Sequence, residues 1–155
     1  MTVENIKIIP FQESLASHFH DLNMEWLQRY FYVEPHDTKV LENPQSYIID
    51  NGGFIFFATY KNTIVGTLAL INEKEGFELS KMAVAPAYQG LKIGLQLMEF
   101  AISFAKKKQW KSLLLYSNKK LVPAISLYKK VGFNEVPLEE DVYYERADIK
   151  MVLQL

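Results

Sequence analysis

The residues best placed to do chemistry lie between Glu78 and Ala101, in the segment ELSKMAVAPAYQGLKIGLQLMEFA. A β-rich run there enters a turn carrying Gly90 and Gly94, and the turn opens directly into helical apolar spacing. The first amides of a helix have no internal acceptor, and the aligned peptide dipoles put partial positive charge beside them. Glycines lack a β-carbon and let the backbone come close to a bulky anion. A pyrophosphate is the natural guest of such a corner. Taken alone, Gly-x-x-x-Gly before a helix is permissive, and a plain strand-to-helix turn satisfies it equally. Two other phosphate-binding patterns do not fit. A P-loop needs Lys and Ser/Thr after its last glycine, and Leu95-Gln96 stand there. A dinucleotide fold needs Gly-x-Gly-x-x-Gly after the first strand of a parallel sheet, whereas three β runs joined by short turns come first here.

The elements that would position this corner follow from periodicity and turn chemistry. IKIIP, 6–10, reads as a short strand stopped by proline. Between 11 and 32, Leu15, Phe19, Leu22, Trp26, Leu27 and Tyr30 recur at helical spacing, giving one or two amphipathic helices. Pro35 and Pro44 break the polar stretch 33–50 into a loop around a short helix. FIFFATY, TIVGTLALI and FELSKMAV are strands joined by short turns, hence antiparallel neighbours. A helix runs from about Gly94 to Lys108, with lysines in its last turn complementing the dipole. SLLLYS is a buried strand, and Pro123 opens a second helix that Gly132 ends. Ala124, Leu127, Tyr128 and Val131 share one face of that helix, so by spacing Tyr128 is a core aromatic. DIKMVLQL closes the chain as a strand. The order implies one α+β domain over 1–155.

Bulk properties narrow the function classes. The 155 residues are 49% hydrophobic and 23% charged, a globular composition for one core. With no cysteine, disulfides, thiolate metal sites and cysteine nucleophiles are excluded. His18, His20 and His36 show no metal-ligand spacing, and no metal is expected. Seventeen basic against eighteen acidic residues argue against a nucleic-acid partner. MTVENIKIIPFQES has no basic n-region, and nowhere do eighteen apolar residues run together, so neither a signal peptide nor a membrane span is expected. A cytoplasmic protein is the expectation.

Two ordered motifs carry a family resemblance. Gln89-Gly90-Leu91-Lys92-Ile93-Gly94, led in by Met82-Ala83-Val84-Ala85-Pro86, resembles the Gln/Arg-x-x-Gly-x-Gly/Ala loop of the GNAT superfamily of acyl-CoA N-acyltransferases. Ala124-Ile125-Ser126-Leu127-Tyr128-Lys129-Lys130-Val131-Gly132-Phe133 is similar to its second signature, one helix and one strand later. The resemblance implies a central mixed sheet of six to seven strands flanked by about four helices. It also implies acetyl-coenzyme A as acyl donor, a primary amine of a small metabolite as acceptor, and direct transfer in a ternary complex. Homodimers are common among such relatives. A non-catalytic acyl-coenzyme A-binding module of the same fold is the alternative.

Residue roles follow from that resemblance. The cofactor would lie along Met82, Ala83 and Val84, with its pyrophosphate on the loop from Gln89 through Gly90, Leu91, Lys92, Ile93 and Gly94 to Leu95. Lys92 stands where a glycine is usual and is expected to have helical φ. Asn118 takes over a polar role from an asparagine that Leu121 replaces. Backbone amides around Met82 would polarise the thioester carbonyl. Tyr128 would be the general acid toward the departing thiolate. Glu78 precedes Met82 by four residues, so strand alternation puts both side chains on one face. There it would steer a cationic amine or take its proton through water, or else be a solvated strand carboxylate. Acceptor selection would fall to Trp26, Arg29, Tyr30 and Tyr32, and to Tyr143, Tyr144 and Arg146. Aromatics with arginine suit an acceptor bearing a carboxylate beside its amine, although packed aromatics and surface arginines account for the same residues.

Overall fold

The structure is a computed structural model that describes residues 5–142 and 144–155. Seven strands form one sheet in the order β1-β2-β3-β4-β5-β7-β6. β1 (Ile6–Pro10), β2 (Phe54–Tyr60), β3 (Thr63–Glu73) and β4 (Gly76–Val84) are antiparallel neighbours, as the short turns between them require. β4 pairs parallel with β5 (Ser112–Ser117), and the crossover between them carries the helix α3 (Ile93–Lys107). β7 (Ile149–Gln154) returns antiparallel beside β5. The strand β6 (Asn134–Val136), outside the sequence reading, lies antiparallel on β7. Its three residues are too few to show alternation.

Helices cover both faces. On one face α3 buries Ile93, Leu97, Met98, Ala101 and Ala105 against Phe56, Leu68, Leu70 and Leu79. Full burial of each large aliphatic side chain contributes about 1.5–3 kcal/mol. The helix α4 (Val122–Lys130), with proline in its first turn, packs Leu127 and Tyr128 against the same cluster. On the other face α1 (Ala16–Tyr30) and α2 (Pro35–Glu42) bury Phe19, Leu27, Val40 and Leu41 against Ile55, Phe57 and Ala69. Among the described residues no helix is long and apolar enough to cross a membrane.

Candidate functional site

β4 and β5 pair only at Phe77↔Leu113 and Glu78↔Leu114. Beyond Glu78, β4 stays with β3 while β5 stays with β7, so the two strands part. A cavity of about 380 Å³ opens in the wedge. Its walls are β4 from Glu78 to Val84, β5 at Leu115–Ser117, α1 at Trp26 and Tyr30, and α4 at Ala124 and Tyr128. The strand edges facing this gap carry backbone donors and acceptors that need partners. An extended ligand supplies them by lying in the gap as an added strand.

The inner edge of the wedge is shaped by a bulge. Ala69 pairs with Ser80 and Thr67 with Ala83, so Lys81 and Met82 together oppose the single Leu68. Lys81 takes φ 51° there. One extra residue reverses the alternation of everything beyond it. Glu78 therefore shares the face of Ile71 and Ala69 toward α1, while Met82 packs into the cluster beneath α3. The expectation that Glu78 and Met82 share a face is corrected by this bulge, although both line the cavity.

At the mouth of the wedge stands the glycine turn. Gln89 Nε2 donates to the Val84 carbonyl at 3.1 Å and ties the turn to the strand end. Gly90 has φ 79°, and a β-carbon there or at Gly94 would meet no protein atom within 4 Å. Lys92 occupies the N-cap of α3 with φ 62°, ψ 23°. That left-handed conformation corrects the expected helical φ. It costs a residue with a side chain about 1–2 kcal/mol, which is the physical reason a glycine suits the position. No side chain caps α3, so the amides of Ile93, Gly94 and Leu95 in its first turn keep their capacity to bind an anion. The Ile93 side chain itself is buried core and Leu91 is half-buried against it, so only their backbone can serve a ligand.

Tyr128 lies at the wall formed by β5 and α4, with its ring edge-on to Phe133 at 6.2 Å. Burial pushes its phenol above the ordinary value, against a hydrogen bond with the Ser117 side chain that pulls the other way. Its proton is thereby kept at neutral pH. Glu78 is pushed from 4.5 up to about 7, first by burial and next by the nearby Glu73 carboxylate, with Lys81 opposing. Among the described residues no cation pairs with it in a salt bridge.

Arg146 and Lys81 are already engaged. Arg146 donates from Nη2 to Asp37 Oδ1 and from Nη1 to Asp37 Oδ2, both at 2.7 Å, and from Nη1 to Glu34 Oε2 at 3.1 Å. Lys81 Nζ donates to Asp37 Oδ1 at 2.9 Å and to the Tyr144 hydroxyl at 2.8 Å. Asp37 is fully buried and also accepts from the Glu34 amide, completing a capping box at the start of α2. Burial pushes its carboxyl up, but the Arg146 fork and Lys81 outweigh that and hold it below the usual range. Arg146 lines the cavity as expected, but its fork is already engaged by Asp37, so it would grip an acceptor carboxylate only by sharing or giving up those bonds.

Other expected residues separate in the same way. Trp26 and Tyr30 line the cavity with ring centroids 5.4 Å apart, whereas Arg29 is exposed and lies outside its lining. Tyr32 donates its hydroxyl to the Glu145 carboxylate. Tyr143 lies outside the described residues. Asn118 lines the cavity, but its Nδ2 donates to the Arg146 carbonyl at 2.7 Å and its Oδ1 accepts from the Lys120 amide at 2.9 Å. Its side chain thus braces the wall. Sequence reasoning missed Glu34, Asp37, Lys81 and Ser117. Only the first two left a local signal, the Glu-Pro-x-Asp spacing of a capping box.

A wedge between parting strands, running to an uncapped glycine turn, meets its counterpart in known proteins. The sequence profile of the acetyltransferase (GNAT) family matches residues 20–133. The chain belongs to this family. The stretch includes the bulged strand, the glycine turn, α3, β5 and α4. A probable N-acetyltransferase, camello, of Xenopus tropicalis is 25% identical over 81% of this chain and 54% of its own length. An uncharacterized N-acetyltransferase of Dictyostelium discoideum is 39% identical over 43% of this chain and 29% of its own. The chain thus spans about half or less of these curated relatives. Among solved structures, a GNAT-family acetyltransferase of Staphylococcus aureus Mu50 superposes with TM-score 0.84 at 23% identity, covering 96% of this chain and 98% of the other. The PaiA N-acetyltransferase of Thermoplasma acidophilum, solved in complex with coenzyme A, superposes with TM-score 0.77 at 20% identity over 97% and 99%. These likenesses show the fold.

Proposed function

We propose that this chain is an acetyl-coenzyme A-dependent N-acetyltransferase that acylates a primary amine of a small molecule by direct transfer in a ternary complex. The observation that carries the reading is the wedge beyond Glu78, which runs along an unpaired strand edge to the uncapped start of α3. Gly90 and Gly94 fit the cofactor, since neither position is glycine to avoid a protein atom and both leave room for close approach to the backbone. The Thermoplasma acidophilum relative bound to coenzyme A is consistent with it.

Bound acetyl-coenzyme A would supply the activated acyl group as its thioester, with coenzyme A thiolate as the leaving group. The first-turn amides of α3 would hold its pyrophosphate, with the Lys92 charge at the same corner. The bulge takes Met82 out of the ladder with β3, leaving its amide as a donor to an acyl carbonyl oxygen. One such donor contributes about 3–4 kcal/mol to lowering an acyl-transfer barrier. Tyr128 keeps its phenolic proton and can deliver it to a thiolate. An aliphatic amine titrates near ~10.4 and must shed a proton before it attacks. Glu78, at about 7, is matched to accept that proton near neutral pH.

Thiol release from acetyl-coenzyme A across an amine library tests the reading, beside calorimetric binding of coenzyme A. Amine-dependent release is the expected outcome. Tight binding without release for any amine would leave a sensor module, and no binding would remove the reading altogether.

A further inference from the structure

A second cavity, of about 290 Å³, adjoins the first and is bounded by the β3–β4 turn, β5 and the segment after β6. Glu78, Tyr116, Tyr144 and Ala147 line both, so the two spaces meet at Glu78. Five carboxylates line the second space: Glu73, Glu75, Glu78, Glu139 and Asp141, against the one ammonium of Lys74. Lys150 reaches in from β7 and its one charge is shared between Glu75 at 2.6 Å and Glu139 at 2.9 Å. Among the described residues Glu73, Glu78 and Asp141 have no ion-pair partner.

Two further observations separate this from a solvated acidic surface. Glu139 Oε2 is buried with no hydrogen-bond partner, while Tyr116 and Lys150 both donate to its other oxygen, so one acceptor at the cavity is left over. Glu78 is enclosed, and its ionised form is opposed by Glu73 at the same cavity. Burial raises the Glu73 carboxyl as well. An arriving cation relieves both penalties. Among the described residues no three acidic or histidine side chains converge as a metal-binding group. Carboxylates that share a cavity without converging suit charges spaced along an organic chain.

From this juxtaposition we propose that the second cavity is the acceptor subsite and selects a di- or polyamine, one nitrogen at Glu78 and a second ammonium near Glu73 and Asp141. The inference rests on the acetyltransferase reading and deepens it by naming the acceptor class. It also accounts for Arg146: a guanidinium neutralised by Asp37 and Glu34 adds no net positive charge to repel such a substrate.

The test is steady-state transfer from acetyl-coenzyme A to 1,4-diaminobutane and spermidine, against butylamine and glycine. The diamine and triamine should exceed butylamine in kcat/KM by at least about tenfold, the worth of one partly desolvated charge pair, with glycine slowest. Glu73→Gln also relieves Glu78 of a neighbouring charge, so the readout is selectivity: KM for 1,4-diaminobutane should rise by about tenfold more than KM for butylamine. Asp141→Asn, at an exposed position, should act in the same direction and covers the case in which Glu73→Gln misfolds. Butylamine or glycine served as well as the diamine, with coenzyme A bound normally, would overturn the subsite and leave the acetyltransferase reading standing. An unchanged ratio of diamine KM to butylamine KM in both variants would overturn it too. Failure to bind coenzyme A would instead strike the underlying reading.

Discussion

Replacing Glu78 with glutamine should stabilise the protein, and by an amount that grows with pH. The wild-type carboxyl is moved from 4.5 to about 7, by burial first and by Glu73 next. That displacement corresponds to about 3 kcal/mol of disfavour for the ionised form in the folded state. The sign follows from proton counting. Between the two values the folded chain holds a proton that the unfolded chain has released, so stability falls as pH rises through this window and is level above it. Glutamine keeps the size and the hydrogen bond to Ser80 but never ionises. The variant should exceed wild type by about 1 kcal/mol at pH 5.5 and by about 3 kcal/mol at pH 8.5. For a domain of this size the excess at pH 8.5 amounts to roughly 6–12 °C in Tm. Glu73, Lys81 and Glu139 also act on Glu78, but they are present in both proteins, so the difference between them isolates the one carboxyl. Reversible denaturation of both proteins at the two pH values measures it. In the same variant transfer should slow by roughly 10²-fold, and the pH limb near 7 should vanish from kcat/KM. A stability difference that is equal at both pH values would refute a perturbed Glu78 and the base assigned to it.

Gly94→Ala should raise stability by up to about 1 kcal/mol, because a helical position gains a better helix former and the new carbon meets no protein atom. Its affinity for coenzyme A, followed by calorimetry, should nevertheless fall by about tenfold if that open space belongs to the pyrophosphate. Tyr128→Phe should lower kcat by roughly 10²-fold with the coenzyme A Kd nearly unchanged, and an unaltered kcat would remove the acid assignment. Asp37→Ala leaves Arg146 and Lys81 as buried cations without their shared partner, so chemical denaturation should show a loss of about 3–5 kcal/mol.

Much of this protein is legible without coordinates, because the governing signals are local. Alternating and helical periodicities marked six of the seven strands and the long helices, and Pro123 and Gly132 bracketed α4. The glycine turn and the Ala124–Phe133 signature are likewise contiguous stretches of chain, so family and cofactor corner could be proposed from them. What escaped is what depends on partners distant in sequence. The bulge at Lys81 exists only as a mismatch of register with β3, and it turned Met82 away from the face of Glu78. Arg146 looked free until α2 folded Asp37 against it across 109 positions. The surroundings of Glu78 are likewise tertiary, since Glu139 and the cavity wall reach it from the far end of the chain. Side-chain type sets what a residue can do, but charge balance, burial and facing depend on which segments fold against it, and that was decided in three dimensions.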